Sequence, residues 1–225
     1  MKVGVLLSGC GVYDGAEIQE AVLTLLAIAE AGHEYVCISI DDNQHHIINH
    51  LTGEEMNETR NMLIESARIA RGNLTEISKI TPADIDALVI PGGFGSAKNF
   101  TSWAFHGSSG QIRSDVKLLL VNLLNVGKPI VALCVSPVVL AKALEGSNIE
   151  LNLTIGSTKS ASPYVISEFI EGIKLTGSSV SECELGEILI DKENKVISAP
   201  CYMMQADILE VRNNIKKAID ALNLL

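Results

Sequence analysis

Cys134 is the side chain in this sequence best placed to act as a nucleophile. It follows the apolar run Ile130-Val131-Ala132-Leu133 and precedes Val135-Ser136-Pro137, the pattern of a buried strand that turns sharply into a helix. A thiol on such a turn stands above the sheet edge, near the amino end of the next helix, where the dipole and unpaired backbone N–H groups favour thiolate. A second turn has matching chemistry. The apolar run 87–90 leads into Pro91-Gly92-Gly93-Phe94-Gly95, and consecutive glycines let backbone N–H groups approach a ligand unobstructed. Gly92 and Gly93, with the Val135 amide, then compose an oxyanion hole. Taken singly, an isolated cysteine is a small core residue and a Gly-Gly pair an ordinary tight turn. The pairing of the two turns is what points to covalent chemistry.

Such chemistry needs a proton carrier, and histidine is the usual one. All five histidines (His33, His45, His46, His50 and His106) precede Cys134. His45, His46 and His50 fall in a polar loop without the ligand company of a metal site. His106 follows Trp103-Ala104-Phe105 and is a candidate for lining a pocket. Glu17 and Glu20 fit better, because they open the helix after the first strand, at the same sheet edge as Cys134. Glu20 is flanked by Ile18, Ala21, Val22 and Leu23, and a carboxylate pressed against apolar groups holds its proton to higher pH. Glu17 suits an exposed helix start and, with Cys10, a place at the rim of the site.

The elements that must position these groups follow an alternating pattern. Apolar runs at 2–8, 34–40, 87–90 and 129–133 read as strands covered on both faces. Helical periodicity occupies 17–31, 54–71 and 114–126, each closed by glycine at Gly32, Gly72 or Gly127, and a further helix runs from Cys134 to about Leu144. Residues 150–155 are strand-like, and 187–191 with 195–198 form a hairpin. Ile208, Val211, Ile215, Ile219 and Leu222 give a closing helix one apolar face. Residues 41–50 and 157–166 are loops. Strands alternating with helices imply an α/β three-layer sandwich around a mostly parallel sheet, in one domain over 1–225. Ligands bind such folds at the carboxyl ends of the strands, where Cys10 to Gly15, Pro91 to Gly95 and Cys134 to Pro137 converge.

Composition narrows the function. A net charge of -10 argues against nucleic acid as a partner. No stretch reaches the roughly 18 apolar residues of a membrane span, and the apolar start is too short for a signal peptide, so a cytosolic protein is expected. Five cysteines without a CxxC pair indicate free thiols rather than disulfides or zinc. Neither metal nor cofactor is expected.

At the residues singled out, the chain resembles the PfpI-like branch of the class I glutamine amidotransferase-like superfamily, with its flavodoxin-like sandwich. The matching motifs are Gly15-x-Glu17-x-x-Glu20, Pro91-Gly92-Gly93 and Ala132-x-Cys134-x-x-Pro137. The resemblance is closer to the ElbB-type subfamily, described as isoprenoid-biosynthesis glyoxalases. It runs through 7–15, 48–53, 58–65, 91–95 and 151–156, nearly the whole chain. It implies a nucleophile at Cys134, an acid/base at Glu20, oxyanion amides at Gly93 and Val135, and a homodimer. Many superfamily members add a histidine after the nucleophile or on the next strand; Val135 and Thr154-Ile155-Gly156 stand there instead. The proton work then falls on Glu20, with help from Cys10 or a water. The expected activity is a cofactor-independent glyoxalase of low turnover acting on glyoxal or methylglyoxal. The alternative is a redox-responsive or chaperone-like protein whose Cys134 oxidises to a sulfinic acid. Amidotransferase and protease chemistry lack the downstream histidine.

Overall fold

The computed structural model describes residues 1–225. Seven strands form the main sheet: β1 (Lys2–Leu6), β2 (Glu34–Ser39), β3 (Leu74–Glu76), β4 (Ala87–Ile90), β5 (Ile130–Leu133), β8 (Leu189–Asp191) and β9 (Val196–Ala199). Their order is β3-β2-β1-β4-β5-β9-β8. All neighbours are parallel except β8, which runs antiparallel to β9. Strands β4, β5 and β9 are buried along their whole length, which explains their unbroken apolar character, since helices cover both faces of a parallel sheet. Those helices are α1 (Ile18–Glu30), α2 (Met62–Ile69), α3 (Trp103–His106), α4 (Ser114–Asn125), α5 (Pro137–Leu144), α6 (Ile166–Leu175) and α7 (Ile208–Asp220). The α1–α7 and α4–α5 pairs pack side by side. One contiguous core joins sheet and helices from Val3 to Leu222. No helix is long and apolar enough to cross a membrane.

The α/β sandwich expected from the alternating pattern is therefore present, with local departures. The helix expected over 54–71 begins only at Met62, because the Asn61 side chain caps it by accepting from Ile64 N–H at 3.1 Å. The polar stretch before it is held by isolated bridges, Ile48 with Glu55 and Asn43 with Asn61. The strand expected at 150–155 shrinks to β6 (Asn152–Leu153), which pairs with β7 (Ser179–Val180) in a separate sheet. The place beside β5 is taken by β9, in register Leu133 to Ala199. Helix α6 begins where a loop was expected to end, and its buried Ile166, Ile170 and Ile173 carry the helical spacing that marks it.

Candidate active site

Four strand ends meet at one point, following the rule that small residues after buried parallel strands gather at the carboxyl edge. Cys134 ends β5 with φ +57, the left-handed region that costs a residue with a β-carbon about 1 kcal/mol or more. Its N–H donates to Ala199 O of β9 at 2.9 Å. The side chain is 5 % exposed. Ser136 ties this elbow to the neighbouring turn: its hydroxyl donates to Pro91 O at 2.7 Å and lies 3.1 Å from the Ser96 hydroxyl.

The Pro91–Gly95 turn approaches closely. A β-carbon on Gly92 would sit 2.3 Å from both Cys134 Cβ and Glu20 Oε2, and one on Gly93, whose φ is +98, would meet the Glu17 backbone N at 2.3 Å. Neither position admits a side chain. The N–H groups of Phe94, Gly95 and Ser96 are spent on Val12 O, Gly15 O and Gly93 O, and those of Cys134, Ser136 and Val138 on Ala199 O, Leu133 O and Val135 O. The amides of Gly93 and Val135 have no such partner, and the Gly93 N–H is directed at the Cys134 sulfur. The Gly92 N–H faces the Glu20 carboxylate instead. Gly92, expected among the oxyanion donors, thus supplies clearance rather than a donor to the cavity.

Glu20 and Glu17 separate as burial requires. Glu17 is the N-cap of α1, its carboxylate accepting the Glu20 N–H at 2.6 Å. Glu20 is wholly buried; its Oε1 accepts the Tyr202 N–H at 3.1 Å, while Oε2 has no hydrogen-bond partner. The apolar neighbours in sequence are not what encloses it, because Ile18 and Val22 point outward and the enclosure comes from the turns after β4, β5 and β9. Burial, followed by the charge of Glu17, pushes the Glu20 carboxyl up to about 8, against pulls from the Tyr202 amide and the Cys134 thiol. The Cys134 thiol is also pushed well up, by burial first and then by Glu20. The lowered thiol pKa expected from the helix start is therefore not found. Desolvation outweighs the amide and dipole contributions.

The remaining candidates lie apart. Cys10 is half-buried among Glu65, Arg68 and Asp14, whose charges act on it as those of Cys134 and Glu20 do not. His106 is exposed and lines a different groove, with Phe94, Trp103, Phe169 and Leu175. Three residues that sequence reasoning passed over belong to the site. Cys201 and Tyr202 follow β9 just as Cys134 follows β5, so the same rule of small residues after a buried strand marks them. Tyr164 comes from the loop before α6, and burial with the nearby Cys134 and Glu20 charges raises its hydroxyl to about 12. Tyr13, Glu17, Gln19, Tyr164 and Tyr202 line a cavity of about 500 Å³ at this edge.

Residues 9–151 match the model of the DJ-1/PfpI family. The human glutamine amidotransferase-like class 1 domain-containing protein 3, mitochondrial, is 36 % identical over 216 residues, 95 % of this chain and 79 % of its own. The rat ES1 protein homolog, mitochondrial, is 34 % identical, over 95 % of this chain and 80 % of its own. A crystal structure of an isoprenoid biosynthesis protein with amidotransferase-like domain from Ehrlichia chaffeensis superposes with a TM-score of 0.89 at 33 % identity, covering both chains fully. These names are not those of glyoxalases. They also correct the expectation of a cytosolic protein, since the human and rat relatives are named mitochondrial; the composition of a folded domain does not encode its compartment, which a removable segment addresses. With the family's motifs assembled at one sheet edge and its model matched over most of the chain, this protein belongs to the DJ-1/PfpI family.

Proposed function

We propose that the site converts a small 2-oxoaldehyde to the 2-hydroxy acid without a cofactor. The observation that carries the reading is the convergence of the Cys134 sulfur, a buried carboxyl that holds its proton to about pH 8, and two amides without a backbone acceptor, Gly93 and Val135. The Cys134 thiol first loses its proton to water while Glu20 keeps its own; the thiolate then adds to the aldehyde carbon, and the new oxyanion is received by the two amides. Glu20 protonates it, then removes the hydrogen from that carbon and returns a proton to the adjacent one. The resulting thioester is hydrolysed by water, so methylglyoxal plus water gives lactate, and glyoxal plus water gives glycolate. Lactate and glycolate formation by the wild type and Cys134→Ser tests this: the variant is expected to lose essentially all turnover, and a variant as fast as the parent overturns the reading.

Oxidant sensing through the same sulfur is the second reading, supported by the second thiol, Cys201, at the same sheet edge. Selective oxidation of Cys134 by mild peroxide, with no aldehyde turnover, favours it over the first. We also propose that the protein is a homodimer, joined through the apolar outer face of α1.

A further inference from the structure

Strands β5 and β9 are parallel neighbours that end together, Leu133 opposite Ala199. Each is followed within two residues by a cysteine in the left-handed region, Cys134 at φ +57 and Cys201 at φ +46. The other two non-glycine residues with positive φ, Arg71 and Lys195, sit in turns between elements. At Cys134 and Cys201 the same conformation occurs in the core, where it is kept only if the surroundings enforce it. Cys201 is held from three directions. Its N–H donates to Asn214 Oδ1 at 3.0 Å, the Asn214 amide donates to Glu187 O at 2.8 Å, and the next N–H, of Tyr202, donates to Glu20. The Cys134 N–H faces the Cys201 sulfur as well as Ala199 O. Adjacent strands lie about 4.8 Å apart at their paired ends, and the Cys134 N–H facing the Cys201 sulfur brings the two thiols together on the scale that a disulfide spans.

We propose that Cys201 is the second thiol of the site and that mild oxidation joins it to Cys134 in an intramolecular disulfide. The oxidant is a hydroperoxide. The Cys134 thiol loses its proton to water, the thiolate attacks the terminal oxygen, the O–O bond breaks, Cys134 becomes a sulfenic acid, and the departing alkoxide or hydroxide takes the proton of Glu20. The Cys201 thiol gives its proton to the Glu20 carboxylate and its sulfur attacks the Cys134 sulfur. Hydroxide leaves and recovers that proton as water. Two thiols are oxidised by two electrons and the peroxide is reduced by two; an external thiol reverses the bond by exchange. Cys134 is thereby diverted from the irreversible sulfinic and sulfonic acids. The inference shares the Cys134 nucleophile and the Glu20 proton carrier with the proposed aldehyde chemistry but does not depend on turnover of any aldehyde.

The test treats the full chain with one equivalent of hydrogen peroxide, blocks remaining thiols and maps peptides by mass spectrometry without reduction. The expected result is a linked Cys134–Cys201 peptide pair that dithiothreitol separates completely. In Cys201→Ser and Cys201→Ala the linked pair is lost, Cys134 is trapped as sulfenic acid at one equivalent, and a second equivalent of peroxide carries it to sulfinic acid that dithiothreitol does not reverse. Wild-type protein in which Cys134 becomes sulfinic acid while Cys201 is alkylated, or in which Cys134 links to another cysteine, overturns the proposal whether or not the variants fold. Lactate formation by the same sample bears only on the aldehyde reading.

Discussion

Gly92 is where the site tolerates least. Its missing side chain lets the thiol and the carboxyl approach each other, and a methyl group there meets the backbone-fixed Cys134 Cβ and a buried Glu20 oxygen, each at 2.3 Å. The Cys134 Cβ cannot retreat without moving the backbone, and the Glu20 oxygen is enclosed on all sides. Gly92→Ala is therefore expected to abolish aldehyde turnover and to lower stability by about 1–3 kcal/mol, as overpacking does; a variant with parental activity and denaturation midpoint contradicts this geometry. Glu20 gives a second prediction, with a sign set by its pKa. The folded carboxyl titrates at about 8 against an ordinary value of 4.5. Between these values the folded chain holds a proton that the unfolded chain has lost, so stability falls as pH rises through this window and levels off above about 8. At about 1.4 kcal/mol per pH unit the full loss is several kcal/mol. Glu20→Gln retains the shape and removes the titration. Urea midpoints should therefore fall from pH 5 to 8.5 in the wild type but not, through this group, in Glu20→Gln, and parallel curves for the two proteins sink the assignment.

At the scale of elements, α7 is the helix whose placement the site most needs, because it packs on α1, which carries Glu20, and supplies Asn214, which fixes Cys201. Its start is set by a capping box: the Asp207 carboxylate accepts from Leu209 and Glu210 N–H, and Glu210 accepts the Asp207 N–H in return. Asp207→Ala is expected to lower unfolding free energy by about 1 kcal/mol, read as a shifted denaturation midpoint with an unchanged slope. The buried strands, the α7 stripe and the turns at Pro91–Gly95 and Cys134–Pro137 are visible in the sequence, because each depends on residues near one another in the chain. The position of β9 between β5 and β8 is not. It is decided by which strand best fills the edge beside β5, and the choice moves Cys201 and Tyr202 into the site. The same holds for Cys134, whose turn is legible in the sequence while its protonation is not. The sequence shows the helix start that favours thiolate, but not the burial and the facing Glu20 that outweigh it.

For the whole molecule, the unexplained surface lies on α1. Ile18, Val22 and Leu26 recur every fourth residue and remain 46, 48 and 45 % exposed, a continuous apolar stripe on the face turned away from Glu20. Arg212 of α7 pairs with Glu30 at the end of α1 at 3.0 Å, which ties the two packed helices together beside this stripe. A monomer gains nothing from holding such a stripe in water, whereas a second copy related by a two-fold axis buries both at once. The site gains from it too, because Glu17 and Gln19 at the head of this helix line the cavity and Gln19 accepts the Tyr202 hydroxyl. A partner on α1 would stiffen that rim. Val22→Asp places a charge at the middle of the stripe, with no group on α1 to pair with it, and is expected to weaken association by at least about 2 kcal/mol, some thirtyfold. Sedimentation across a concentration series should then show a dimer for the wild type and a monomer for Val22→Asp, with the helical content of the two unchanged. A variant that remains dimeric at the wild-type concentration moves the interface off α1.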